Sequence, residues 1–166
     1  ERFVTDPADV AAIRDCFAGL HAVGPGRGST ADSAVEDALG SPGKYVLKPQ
    51  REGGGNNFYG DELKERLESA APDLTDLADL ILMQRIFPPI QPAALVTRGK
   101  VITAPSLSEL GVFGTYLKSE HATSAGNDGV LVNTYGGHIL RTKLDGVDEG
   151  GVATGYAVLS SPILVD

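Results

Sequence analysis

The chain has no tryptophan, one cysteine and one methionine in 166 residues, and aromatic residues make up only 6% of it. A lone Cys16 cannot close an intramolecular disulfide and no Cys/His spacing forms a zinc motif, so neither an oxidising compartment nor structural zinc is implied. Positive charge is also short, with 14 Lys and Arg against 22 Asp and Glu. The resulting net charge of -8 argues against a nucleic-acid partner bound through a broad basic surface, but leaves room for a local phosphate site. No apolar run approaches the roughly 18 residues of a membrane span, and no signal peptide opens the chain. The reading is therefore cytoplasmic, with no membrane partner. Residue 1 is Glu rather than Met, so the chain also reads as a piece of a longer one.

Glycine, by contrast, is abundant at 21 residues, nearly twice the ordinary share of about 7%. With 42% hydrophobic and 22% charged residues the composition is that of a globular domain, not of a disordered, collagen-like or coiled-coil chain. Residues 1–43 read as a helical scaffold and linker segment. Asp6-Pro7-Ala8-Asp9 offers an N-cap, a proline at the first helical position and an acid in the first turn, and Val10, Ile13, Phe17 and Leu20 follow at helical spacing. Cys16 falls on that apolar side, which predicts a buried, inert thiol. Gly24-Pro25-Gly26-Arg27-Gly28 interrupts the helix, and a second helix is predicted over residues 31–39, closed by Gly40.

Residues 44–166 form the second part. A strand is predicted over residues 45–49, then a glycine-rich loop, then a helix that turns Leu63 and Leu67 inward and ends before Pro72. Residues 80–83 form an apolar strand, residues 94–102 a hairpin turning at Gly99, and further strands are expected over residues 112–117, 130–135, 138–142 and 156–159. The small, polar stretch 119–129 reads as a solvated connection. Helices with an antiparallel-leaning sheet define an α+β, or mixed α/β, body.

The densest chemical signal is Lys48-Pro-Gln-Arg-Glu52-Gly53-Gly54-Gly55-Asn56-Asn57. Three glycines without Cβ let a backbone approach a phosphate chain and turn its N–H groups toward it. Lys48 supplies a point charge for phosphate oxygens, and Glu52 is the hard oxygen ligand that Mg²⁺ takes. The spacing matches neither the P-loop nor the GxGxxG pattern. Arg141 and Lys143 alternate on a strand and so share a face; surface acids or an anionic ligand would satisfy them equally. His138, after two glycines in an apolar strand, reads as a hydrogen-bonded core residue, and Phe113, Tyr135 and Met83 read as core.

Five blocks in order, KYVLKPQREGGGNNFYG (residues 44–60), LMQRI (82–86), SELGVFGTYL (108–117), GGHILRTK (136–143) and EGGVATGYAVLSSP (149–162), resemble the C-terminal part of eukaryotic-type glutathione synthetases. The resemblance implies an ATP-grasp fold, in chains well over twice this length, with a lid over about residues 44–85 and a nucleotide- and substrate-binding sheet over about residues 86–166. It assigns Lys48, Glu52, Gly53, Gly54, Gly55, Asn56 and Asn57 to a lid strand and loop over the ATP phosphates, with Glu52 a Mg²⁺ ligand and Tyr59 a further nucleotide contact. Met83, Gln84, Arg85 and Ile86 match a hinge whose backbone meets the adenine, and Glu109, Lys143 and Glu149 match nucleotide contacts. Arg141 matches a contact to the peptide substrate, and Val152 and Ala153 line the peptide. This chain departs from the family's pattern with Gln84 in place of Glu, Glu149 in place of Asp, and a longer stretch at residues 119–129.

The implied activity is ligation of γ-glutamylcysteine with glycine, driven by cleavage of ATP to ADP and phosphate through an acyl phosphate, in a homodimeric cytoplasmic enzyme. Arg141 is then the catalytic donor to the oxyanion. The alternative is a regulatory or interaction module that binds ATP without turnover. It draws on the family's second ATP lysine and further Mg²⁺ ligands coming from earlier segments, which also implies that this stretch alone is inactive.

Overall fold

The computed structural model describes residues 4–50, 55–119 and 129–162, and the chain divides into two units, Glu1–Phe87 and Pro88–Asp166. In the first, helix α1 (Pro7–Asp15) begins at the predicted cap, with Asp6 Oδ1 accepting from the amides of Ala8 and Asp9 at 2.8 and 3.4 Å. It stops at Asp15 and buries none of its residues, leaving Phe17 and Leu20 beyond its end. Cys16 follows the last helical residue and is exposed, not buried as expected, because α1 turns no face into the core.

Strands β1 (Leu20–Ala22), β2 (Tyr45–Pro49), β3 (Phe58–Tyr59) and β4 (Leu80–Gln84) form a sheet in the order β1-β4-β2-β3, with every neighbouring pair antiparallel. The three-residue β1 lies within the stretch read as helical. Helices α2 (Ser29–Gly40) and α3 (Gly60–Ser69) contribute Ala34, Val35, Ala38, Leu63 and Leu67 to one core with Leu47 and Leu82. Leu47 and Leu82 are register partners, and with Leu63 they are fully buried. Each such leucine contributes about 1.5–3 kcal/mol of hydrophobic stabilisation.

The second unit is an antiparallel sheet, β5-β6-β7-β8, of β5 (Gln91–Thr97), β6 (Lys100–Lys118), β7 (Val130–Leu144) and β8 (Val158–Ser160). The hairpin turns at Arg98-Gly99, as the glycine predicted. Two strands expected over residues 130–135 and 138–142 are one. Gly136 is left without a partner where the register shifts beside Phe113 and Gly114, and Gly137 takes φ 125°, so the strand passes through a bulge instead of ending. The far parts of β6 and β7 form a ribbon on which Phe113 and Tyr135 are 53% and 64% exposed, not core. His138 is likewise exposed, and hydrogen-bonds through Nδ1 to the Tyr135 hydroxyl. Most of the connection expected at residues 119–129 lies outside the described residues; its ends are joined by Ser119 N donating to Gly129 O at 2.8 Å. Among the described residues no helix is long and apolar enough to cross a membrane.

Candidate functional site

In the first unit the sheet has one face packed on helices and one turned away from them. Leu47 and Leu82 point into the core, so alternation turns Val46, Lys48, Ile81 and Met83 to the opposite face. Val46 pairs with Met83 on one side and Tyr59 on the other, while Lys48 pairs with Ile81 in the next row. Three predicted site residues, Lys48, Tyr59 and Met83, therefore share one face, built from three strands. Val46 at the centre of this face is buried, while Lys48, Tyr59, Ile81 and Met83 around it are half-buried, so the ligand-accessible part of the face is a cation beside apolar and aromatic groups. Among the described residues Lys48 has no carboxylate within ion-pair distance.

Arg85 extends β4, its amide donating to Lys44 O at 2.8 Å. Its guanidinium carbon lies 5.3 Å from the Tyr59 ring centroid and 5.5 Å from that of Phe87, a cation–π arrangement. Sequence reasoning placed only the backbone of Arg85 at the site and passed over Phe87, because their meeting depends on which strands are neighbours. Gln84 has the opposite parity. Its Oε1 accepts from Gly19 N at 3.0 Å while its backbone N–H donates to Gly19 O at 2.8 Å, so side chain and backbone of Gln84 together hold Gly19 just before β1. The atom used is an acceptor oxygen, which a glutamate would supply equally. Ile86 is exposed, as are Gly55 and Asn56, and Asn57 Nδ2 donates to the Tyr59 hydroxyl at 3.4 Å. Glu52, Gly53 and Gly54 lie outside the described residues.

The start of β2 is held from the other side. Asp37 on α2 accepts from Lys44 Nζ at 3.2 Å and from the Tyr45 hydroxyl at 3.0 Å. Those bonds, Lys44 first, hold its carboxyl below the ordinary carboxylate value. Burial, and then the hydrogen bond to Asp37, push the Tyr45 phenol up.

In the second unit Glu109 on β6 and Arg141 on β7 are directly opposed and form an ion pair. Lys143 lies one row on, on the same face. Its Nζ donates to the backbone oxygens of Asp148 and Glu149 at 2.8 and 3.3 Å, which ties β7 to the approach to Gly150-Gly151. Beyond it Gly151 O accepts from the amides of Tyr156 and Ala157 at 3.0 and 3.2 Å, folding the loop that carries half-buried Val152 and exposed Ala153. Thr142 points the other way, buried, with its hydroxyl 3.0 Å from that of Ser108. Lys143, Glu149, Glu109 and Arg141 are thus adjacent within one unit. Among the described residues no three His, Cys, Asp or Glu side chains form a group able to hold a metal ion, so these residues by themselves do not fit a metal site.

An antiparallel sheet packed on helices, carrying Lys48, Tyr59 and Met83 on its other face, and a second antiparallel sheet define a mixed α+β protein with a candidate ligand-binding face. Residues 1–164 match the family model for the eukaryotic glutathione synthase ATP-binding domain. The chain is 43% identical over 166 residues to the chloroplastic glutathione synthetase of Arabidopsis thaliana, covering 99% of this chain and 28% of that one. It is 43% identical to the glutathione synthetase of Xenopus laevis over 99% of this chain and 33% of that one, and 40% identical to that of Homo sapiens over 94% and 31%. A solved structure, the apo form of a glutathione synthetase-like effector from Globodera pallida, has a similar fold at TM-score 0.58 and 22% identity, over 93% of this chain and 29% of that one. The chain belongs to the eukaryotic glutathione synthase ATP-binding domain family, and spans roughly a third of the length of these curated relatives.

Proposed function

We propose that this chain is the lid- and substrate-sheet portion of an ATP-grasp ligase that joins γ-glutamylcysteine to glycine, yielding glutathione, ADP and phosphate. The observation that carries the reading is the common face of Lys48, Tyr59 and Met83, in a chain whose family is an ATP-binding domain. ATP lies against that face, its adenine near Met83 and the backbone of residues 84–86 and its phosphates near Lys48 and the amides of residues 53–57. Glu109, Lys143 and Glu149 are proposed as further nucleotide contacts, and Val152 and Ala153 as lining the peptide. In the first step an oxygen of the substrate's C-terminal carboxylate attacks the γ-phosphorus and ADP leaves, with Lys48 offsetting charge on the phosphoryl oxygens. In the second, the glycine amine attacks the acyl carbon, phosphate leaves and the amine loses a proton; Arg141 donates to the tetrahedral oxyanion. No side chain needs to act as a covalent nucleophile. The lid excludes water that would hydrolyse the acyl phosphate.

Glu52 is proposed as a Mg²⁺ ligand, with no step routed through the metal, and the working assembly is proposed to be a homodimer in the cytoplasm, a compartment that a single cysteine suits. The test is phosphate release by the intact protein with γ-glutamylcysteine and glycine, each omitted in turn. ATP turnover that needs neither substrate refutes the ligase. ATP binding without turnover favours the regulatory module instead. Lys48→Ala is expected to weaken ATP binding, and Glu52→Gln to shift the Mg²⁺ titration; an unchanged titration removes Glu52 from the metal.

A further inference from the structure

Tyr59 stands on β3, an edge strand of two residues whose only ladder partners are Val46 and Leu47 of β2. Strands usually run three to ten residues, so β3 by itself holds its side chains weakly. A second tie comes from β4, on the far side of β2. Arg85 continues β4, and its guanidinium carbon lies 5.3 Å from the centroid of the Tyr59 ring and 5.5 Å from that of Phe87. Its Nη1 also donates to Gly43 O in a long bond of 3.5 Å. A planar guanidinium stacks on aromatic faces, and a second ring narrows the rotamers open to a long side chain that would otherwise have to be ordered when a ligand binds. Phe87 is 69% exposed, so its ring adds little to the core. What the structure gives that ring to hold is Arg85. Phe87 lies one residue beyond the block 82–86, and no site assignment reaches it.

We propose that Phe87 is a positioning residue for nucleotide binding: its ring holds the Arg85 guanidinium against Tyr59, and so keeps Tyr59 in place at the rim of the face on which ATP lies. This rests on the assignment of ATP to that face. A leucine at 87 keeps most of the bulk but offers a cation no aromatic quadrupole, whereas a tyrosine keeps the ring.

The experiment is a double-mutant cycle in the intact protein with Phe87→Leu, Arg85→Ala and the double variant, with Phe87→Tyr alongside. ATP is titrated directly into each, and steady-state rates are measured with ATP and γ-glutamylcysteine varied separately. Phe87→Leu is expected to raise Kd for ATP about two- to fivefold, the change to which one exposed cation–π contact corresponds. KM for γ-glutamylcysteine is expected to stay unchanged. In the Arg85→Ala background Phe87→Leu should cost nothing further, since the group it positions is gone. Phe87→Tyr is expected to bind ATP as the wild type does. Additive losses in the double variant, wild-type affinity in Phe87→Leu, or a loss as large in Phe87→Tyr as in Phe87→Leu each overturn the positioning role. So does an equal rise in KM for the peptide. A wild type that binds no ATP overturns the nucleotide face and this role together, whereas one that binds ATP and forms no glutathione overturns the ligase alone.

Discussion

Gly24→Ala is a test of how the first unit closes. Gly24 is buried at φ 118°, where side-chain-bearing residues are strained, and a Cβ there would stand 2.9 Å from Ala78 Cβ and 3.0 Å from Ala78 Cα. The neighbour is partly backbone, so it cannot rotate away. Nor is the loop free to retreat, because Arg27 Nη1 donates both to Gly24 O at 3.1 Å and to Asp73 O at 2.9 Å. Strain at such a φ costs about 1–3 kcal/mol, and forcing a methyl into a closed contact costs about another 1–3. The expected loss is therefore about 2–6 kcal/mol, a large part of a typical domain stability of about 5–15. Urea unfolding followed by far-ultraviolet circular dichroism measures it, as a fall in midpoint at constant slope. Gly24→Ala combined with Ala78→Gly removes the colliding methyl but not the φ strain, and should recover part of the loss. A single-variant loss below about 0.5 kcal/mol refutes the argument. So does a double variant no more stable than the single one, since the collision would then contribute nothing.

Leu82→Ala empties a fully buried site in β4, the strand between β1 and β2, and should cost about 2–5 kcal/mol by the same assay. Asp37→Asn should destabilise at neutral pH by an amount that shrinks on acidification. A carboxyl whose folded value lies below its ordinary 3.8 contributes stability above that pH and loses it as pH falls through the folded value; a difference between variant and wild type that persists undiminished at the acid end would contradict the bonds from Lys44 and Tyr45. Arg85→Lys keeps the charge but replaces the guanidinium that lies over the Tyr59 and Phe87 rings, so a loss of about 0.5–1 kcal/mol is expected. Unaltered stability together with unaltered ATP affinity would leave the stack without a role.

Several elements were legible because their signals are local. The cap at Asp6, the inward spacing of Leu63 and Leu67 and the apolar run of β4 each depend on neighbours a few residues away. Three-residue β1 was not legible, since Leu-His-Ala is too short for a period and becomes a strand only by pairing with residues 81–83. The pair Gly136-Gly137 signals a break and a bulge alike, and only the partner strand β6 distinguishes them. Phe113 and Tyr135 were assigned to the core from their chemistry, which states what a side chain favours and not what stands opposite it. The site divides in the same way. Its residue types were recognised from motif blocks, but the Arg85 stack, the Gln84 clamp and the Glu109–Arg141 pair were not, because each joins residues distant along the chain.

By itself the amino-acid sequence specified the start of α1 at its Asp6 cap, the apolar run of β4 and the chemical inventory of the site, all of which follow from backbone preference and side-chain type within a short window. Only the tertiary structure decided which face each strand turns to the helices and which residues stand opposite in β6 and β7. Strand register is a property of two segments at once: a slip of β2 by one residue would turn Lys48 toward the core in place of Leu47, and a slip of β7 against β6 would part Glu109 from Arg141.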